Sequence, residues 1–143
     1  MTSSVFPDIN VWLALSFPAH KQHAVSREWY SQLPVDTVFV LCRHTQLGWF
    51  RLMTTEAVMG PAVRTQRQCW EIYLTWIEAG KAALVADPAG LDAGFQARAS
   101  ANQASPKQWA DAYLAAFAES AKLTLVTLDR ALAAQSTGSV LVS

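Results

Sequence analysis

A chain of 143 residues is long enough for one domain with a single core. With 52% apolar and 15% charged residues it reads as a compact fold, which excludes a disordered segment. The formal net charge is zero, which excludes a global basic field for nucleic acid or an anionic membrane, so any nucleic-acid contact needs a local patch or a metal.

The N-terminal run "VFPDINVWLAL" (5–15) places one carboxylate, Asp8, in an apolar setting. An ionised group there is costly unless it is paired, hydrogen-bonded or metal-bound. A helix N-cap is one explanation and metal chemistry another. The run lacks the basic start of a signal peptide, and Pro7, Asp8 and Asn10 interrupt it. No window reaches the ~18–20 uncharged apolar residues of a membrane span. A cytoplasmic protein with no membrane association is expected. Cys42 and Cys69 have neither disulfide nor zinc-ligand spacing and read as buried thiols.

Val5 and Phe6 end a first strand, and residues 9–16 read as a helix closed by Pro18. A second helix covers roughly 20–33. "TVFVL" (37–41) is a strand and "RHTQLGWFRLMT" (43–54) a helix, although Gly48 weakens it by about 1 kcal/mol relative to Ala. A long helix is expected over 62–79, a strand over 82–86, a loop over 87–90 and a helix near 91–100. Ser105, Pro106 and Gln108 form a capping-box signal for a helix running to about Lys122. "LTLVTL" (123–128) is a strand ending at Asp129, and "SVLVS" (139–143) a last one.

Short strands separated by helices imply an α/β chain, a three-layer α/β/α sandwich around a central, mainly parallel sheet. Sites in such folds form at the carboxyl ends of the strands. Asp8 and Asp129 lie just past strands. Gln46 and Asp111 lie early in helices that begin at that same edge. Around Asp111 the run "WADAYLAAFAESA" is nearly all small or apolar, so this acid is packed on most sides. Carboxylates gathered on one rim repel unless a cation joins them, and hard divalent ions favour such oxygens. Singly, Asp8 also reads as an N-cap, Asp129 as a turn residue and Asp111 as an acid favoured by the helix dipole.

"PDINVWLAL", "CRHTQLGWFRLMT", "DAYLAAFA" and "LVTLDRAL", in this order, resemble the PIN domain, most closely the VapC-type toxins of bacterial toxin–antitoxin pairs. The resemblance covers about residues 4–132. It implies a PIN-like α/β/α fold and a Mg²⁺- or Mn²⁺-dependent endoribonuclease. Asp8, Asp111 and Asp129 match the family's acids as metal ligands. Gln46 stands where the family usually has Glu, so the site carries three formal negative charges instead of four. A neutral amide there can coordinate weakly or orient a metal-bound water. Asn10 and Thr127 match supporting positions, holding carboxylates or water. The implied partners are an RNA substrate, single-stranded or looped, a cognate antitoxin, and a second copy in a homodimer.

Arg43, His44, Arg51 and Arg130 fall near the expected rim as candidate RNA contacts, or as ordinary surface groups. Trp12 and Trp49 offer base stacking or core packing, with packing the simpler reading. His20 and His23 lack a third ligand in sequence. Two rivals remain: a degenerate PIN domain that binds RNA or a partner without cutting, kept open by Gln46, and a receiver-type signalling domain. For the second, Asp87 approaches the required strand-end acid, but no strand-end Lys follows "LVTLDR".

Overall fold

The structure, a computed structural model, describes residues 3–143. Its elements in chain order are β1 (Ser4–Pro7), α1 (Ile9–Ser16), α2 (His23–Ser31), β2 (Val38–Leu41), α3 (Arg43–Met53), α4 (Glu56–Met59) and a 3₁₀ turn at Gly60–Ala62. Then follow α5 (Gln66–Glu78), β3 (Ala82–Leu84), α6 (Leu91–Arg98), α7 (Gln108–Ala121), β4 (Thr124–Thr127), α8 (Arg130–Ala133) and β5 (Val140–Leu141). The sheet order is β3-β2-β1-β4-β5, and every neighbouring pair is parallel. The expected α/β/α sandwich is therefore present, with a sheet that is wholly parallel.

Strand side chains alternate between two cores, as a sheet covered on both faces requires. Val5, Phe39, Leu41 and Val126 join Trp12, Trp49, Met53 and Tyr73 on the face covered by α1, α3 and α5. Phe6, Val40 and Leu125 join Leu114, Ala116, Phe117 and Ala118 of α7 on the other. Trp12 stacks on Trp49 with ring centroids 4.6 Å apart, and Phe39 meets Trp12 edge-on at 5.4 Å. Both tryptophans are fully buried, so they are core residues and not base-stacking surfaces.

Several elements differ from expectation, and the main differences have local reasons. The helix expected over 62–79 opens at Gln66, because Thr65 and Gln68 cap each other reciprocally: the Gln68 N–H donates to Thr65 Oγ1 at 3.1 Å and the Thr65 N–H to Gln68 Oε1 at 2.9 Å. Ahead of it, Glu56–Met59 is already helical and Gly60–Ala62 forms the 3₁₀ turn. Ser105 does not cap α7: its φ is +40°, in the left-handed region, and the helix starts at Gln108. The Gln108 amide turns instead to Gln135 Oε1, 2.7 Å away. α8 was not expected at all, and it exists because Asp129 caps it, with Oδ1 accepting from the N–H groups of Ala131 and Leu132.

Gly48 has a positive role that its low helix propensity hides. A Cβ there would stand 2.2 Å from Ile9 Cδ1, so the missing side chain is what lets α3 approach the start of α1. Ile9 follows Asp8 and Gly48 lies two positions from Gln46, so this contact fixes the spacing of two candidate site residues.

Candidate active site at the carboxyl edge of the sheet

Two of the three candidate acids, Asp8 and Asp129, are held by the helix they cap. Asp8 follows β1 and caps α1: Oδ1 accepts from the Val11 N–H at 3.1 Å, and its own N–H donates to Val126 O at 2.9 Å. That places one carboxylate between β1 and β4 with only 5% of the residue exposed. Its second oxygen, Oδ2, accepts from the Thr127 hydroxyl at 2.5 Å across 119 residues of sequence. Thr127 Oγ1 in turn accepts from the Asp129 N–H at 3.0 Å. One buried hydroxyl at the end of β4 thus ties two of the acids together.

Asp129 is exposed at the end of β4. Asp111 lies half-buried in the first turn of α7, whose N-terminal half returns to this edge. Burial pushes the Asp8 carboxyl up from its ordinary range, and the Asp129 charge adds to it. The bonds from Thr127, Val11 and the Asn10 backbone act against that rise without reversing it. Asp111 is also pushed up, first by burial and then by the Asp129 charge, with the Gln135 side chain opposing. Asp129 is therefore close enough to both other acids for each to feel its charge. Gln135 is a site neighbour that sequence reasoning missed. It lies 24 residues from Asp111 in the chain, and no spacing pattern links them.

Among the described residues, no three His, Cys, Asp or Glu side chains converge closely enough to enclose one ion. The donor chemistry suits a hard divalent cation, since burial and then the Asp129 charge act against ionisation of Asp8 and Asp111 and a cation would relieve both. The coupling is pairwise through Asp129, and the carboxylates are not drawn into a closed cage.

Gln46 sits in the first turns of α3 and is 2% exposed. Its Oε1 accepts from Arg43 Nη1 at 2.5 Å. The amide oxygen expected to face an ion or its water therefore faces a guanidinium. Asn10 is exposed on α1, and the support it gives Asp8 comes from its backbone N–H.

The expected RNA-contacting groups divide. Arg43 and His44 open α3 and Arg130 opens α8, all exposed at this edge. Arg51 is in the last turn of α3, about 12 Å along the axis from Arg43, although its charge is still felt at His44. Desolvation, then Arg51, pushes the His44 imidazole down from its ordinary value. Its ring meets Tyr113 edge-on at 5.7 Å, and the Tyr113 hydroxyl donates to Asp87 Oδ1 at 2.8 Å. Asp87 is thus tied to a tyrosine and not placed as a receiver-type phosphoacceptor. His20 precedes α2 and is not part of it. The Nδ1 atoms of His20 and His23 contact the Gln22 N–H and Ala14 O respectively, which is structural work.

The edge, with acids at the ends of β1 and β4 and on α7, is where comparison with known proteins becomes informative. The PIN domain family model matches residues 5–136. The chain belongs to the PIN-domain family, of the VapC type. It is 39% identical over 129 residues to ribonuclease VapC41 of Mycobacterium tuberculosis, in two strains of that organism, with 87% of this chain and 88% of that protein covered. Its fold matches the crystal structure of Mycobacterium tuberculosis VapC20, a sarcin–ricin loop cleaving toxin, with a TM-score of 0.62 at 16% identity, over 91% of this chain and 93% of that one. It also matches PAE2754 from Pyrobaculum aerophilum, with a TM-score of 0.55 at 22% identity, over 98% and 84%. Among the described residues no helix is long and apolar enough to cross a membrane.

Proposed function

We propose that the protein is a divalent-metal-dependent endoribonuclease, the toxin of a toxin–antitoxin pair, acting on single-stranded or looped RNA in the cytoplasm. The observation that carries this reading is electrostatic. Burial pushes the carboxyls of both Asp8 and Asp111 up, and the Asp129 charge adds to each, at the carboxyl edge of a PIN-type sheet. The 39% identity to a ribonuclease supports the chemistry.

Asp8, Asp111 and Asp129 are the residues that would hold Mg²⁺ or Mn²⁺, directly or through waters. When bound, such an ion polarises a phosphoryl oxygen and lowers the pKa of a bound water. The chain's own part is positional. Thr127 fixes Oδ2 of Asp8 and the backbone of Asp129 with one hydroxyl. The α1 amides hold the other Asp8 oxygen. Arg43 and Arg130 supply phosphate contacts at the rim. A cognate antitoxin and a second copy of the chain are the expected protein partners.

The test is cleavage of single-stranded RNA by purified protein with Mg²⁺, with chelator, and by an Asp8→Asn variant. Activity should need the metal and fall by on the order of 100-fold in the variant. A variant as fast as wild type would remove the assignment. The competing reading, a PIN domain that binds without cutting, is favoured by one observation, the Gln46 oxygen turned to Arg43. Metal-dependent cleavage of any RNA ends it.

A further inference from the structure

The aspartates leave one part of this edge without a role, the contact between Arg43 and Gln46. Arg43 is the first residue of α3, at the carboxyl end of β2, and β2 is the hydrogen-bonded neighbour of the strand that presents Asp8. A guanidinium has only donors, so the Gln46 amide must give it the oxygen and keep its own N–H groups for the other side. The amide is almost fully buried and the arginine exposed, so the fixed member holds the mobile one. Among the described residues Arg43 has no acidic partner: the one salt bridge joins Arg98 and Glu119.

Charge decides what this arrangement does. A glutamate at position 46 would hold the same guanidinium as an ion pair and cancel its charge. A glutamine holds it equally well in space and leaves the charge free. A guanidinium fixed by one N–H still has the rest of its fork for a phosphate, the ligand its geometry matches best.

We propose that Gln46 is a positioning residue that holds Arg43 as a phosphate contact beside the aspartates, a task that needs an amide and not a carboxylate at position 46. This deepens the nuclease reading and rests on it. It also means that position 46 faces a cation supplied by the chain, so a carboxylate placed there would pair with Arg43 before it recruited a metal ion.

The experiment measures affinity for a single-stranded RNA oligonucleotide over a range of salt, with chelator present so that nothing is cut. Each phosphate contact contributes about 0.7 to the slope of log affinity against log salt. Arg43→Gln should lower the slope by about that amount, and Arg43→Lys should restore most of it. Gln46→Glu should lower it equally with Arg43 still present, a change that a merely structural role for Gln46 would not produce. In a Mn²⁺ titration by calorimetry, Gln46→Glu should bind the same number of ions as wild type. A wild-type salt slope in Arg43→Gln or in Gln46→Glu overturns the proposal, as does an added Mn²⁺ in Gln46→Glu or a wild type with no measurable RNA affinity. If Gln46→Glu fails to fold, the exposed Arg43 variants decide alone. Slopes that behave as expected, beside an Asp8→Asn protein that still cuts RNA, would remove the aspartate mechanism and leave this contact standing.

Discussion

The two faces of the sheet differ in how much of their core is ring and how much is alanine. The face under α1, α3 and α5 is filled by large rings, with Trp12 against both Trp49 and Phe39 and Trp76 edge-on to Trp12 at 5.0 Å. The face under α7 has one ring pair, Phe6 on Phe117 with centroids 4.9 Å apart, and a helix rich in buried alanines: Ala112, Ala115, Ala116 and Ala118 are each at most 1% exposed. Bulk on the first face supplies most of the apolar area removed from water. Small side chains on the second let a helix backbone lie close to its neighbours. That closeness brings Asp111 to the rim on a helix with little freedom to shift. The first face chiefly stabilises the fold, and the second places Asp111 at the candidate site.

The largest expected effect tests the stabilising face. Trp12→Ala should lower unfolding free energy by about 3–5 kcal/mol, measured by urea denaturation. On the positioning face, Ala116→Leu inserts three carbons beside α6, where a methyl on Gly94 would already stand 3.6 Å from the Ala116 Cβ. Overpacking of this kind costs about 1–3 kcal/mol. Its activity should fall further than its stability, because α7 carries Asp111. If Ala116→Leu is the more destabilised of the two while retaining full RNA cleavage, the division of labour between the faces is wrong.

Much of this division could be read from the residues. A continuous apolar strand such as "VFVL" is the pattern that burial on both faces requires, and the alanine run around Asp111 implies close packing. Asp8 and Asp129 were placed at strand ends by topology alone, and both prove to be helix caps. What stayed hidden was long-range or rotameric. The Thr127–Asp8 bond joins residues 119 apart. The turning of the Gln46 oxygen to Arg43 depends on a side-chain rotation that no spacing encodes. Ser105 carried a good capping signal, yet its backbone is left-handed and Gln108 found a partner in Gln135. The Thr65–Gln68 box is present in the letters, but Gly60-Pro61 ahead of it is also a helix-start signal, and only the folded chain decides between them.

A third effect is confined to a pH window. Asp8 links the two faces, as the cap of α1 on the aromatic side and the partner of β4 in the middle of the sheet. Its folded-state pKa lies above the unfolded one, so between the two values the folded protein binds more protons than the unfolded one. Stability of the metal-free protein therefore contains a contribution that is complete below the ordinary carboxyl range and is lost as pH rises through the raised value. Asp111 adds a contribution of the same sign. Thermal unfolding across pH should show wild type losing stability relative to Asp8→Asn on going from acid to neutral. A flat difference between the two proteins would mean that Asp8 is not desolvated in the folded state.

The smallest effect refines the comparison, because the aromatic face contains one point of alanine-like closeness. At Gly48, α3 meets Ile9 with no side chain between them. Gly48→Ala gains about 1 kcal/mol of helix propensity. Against this, the new methyl meets Ile9 Cδ1 at 2.2 Å and Cγ1 at 2.8 Å, so the isoleucine must change rotamer or the helices must part. Overpacking of about 1–3 kcal/mol then leaves a net loss of roughly 0–2 kcal/mol. The two responses separate in activity. If Ile9 turns away, Asp8 and Gln46 keep their spacing, and RNA cleavage stays near wild type with little stability lost. If the helices part, the rim widens and cleavage falls severalfold while unfolding barely changes. We expect the second, because Ile9 follows the cap residue Asp8 directly and its backbone is held by the same turn. An Ile9→Ala/Gly48→Ala double variant makes room for the methyl and should recover the cleavage lost by Gly48→Ala. Failure to recover would show that the glycine serves the helix backbone and not the approach of α3 to α1.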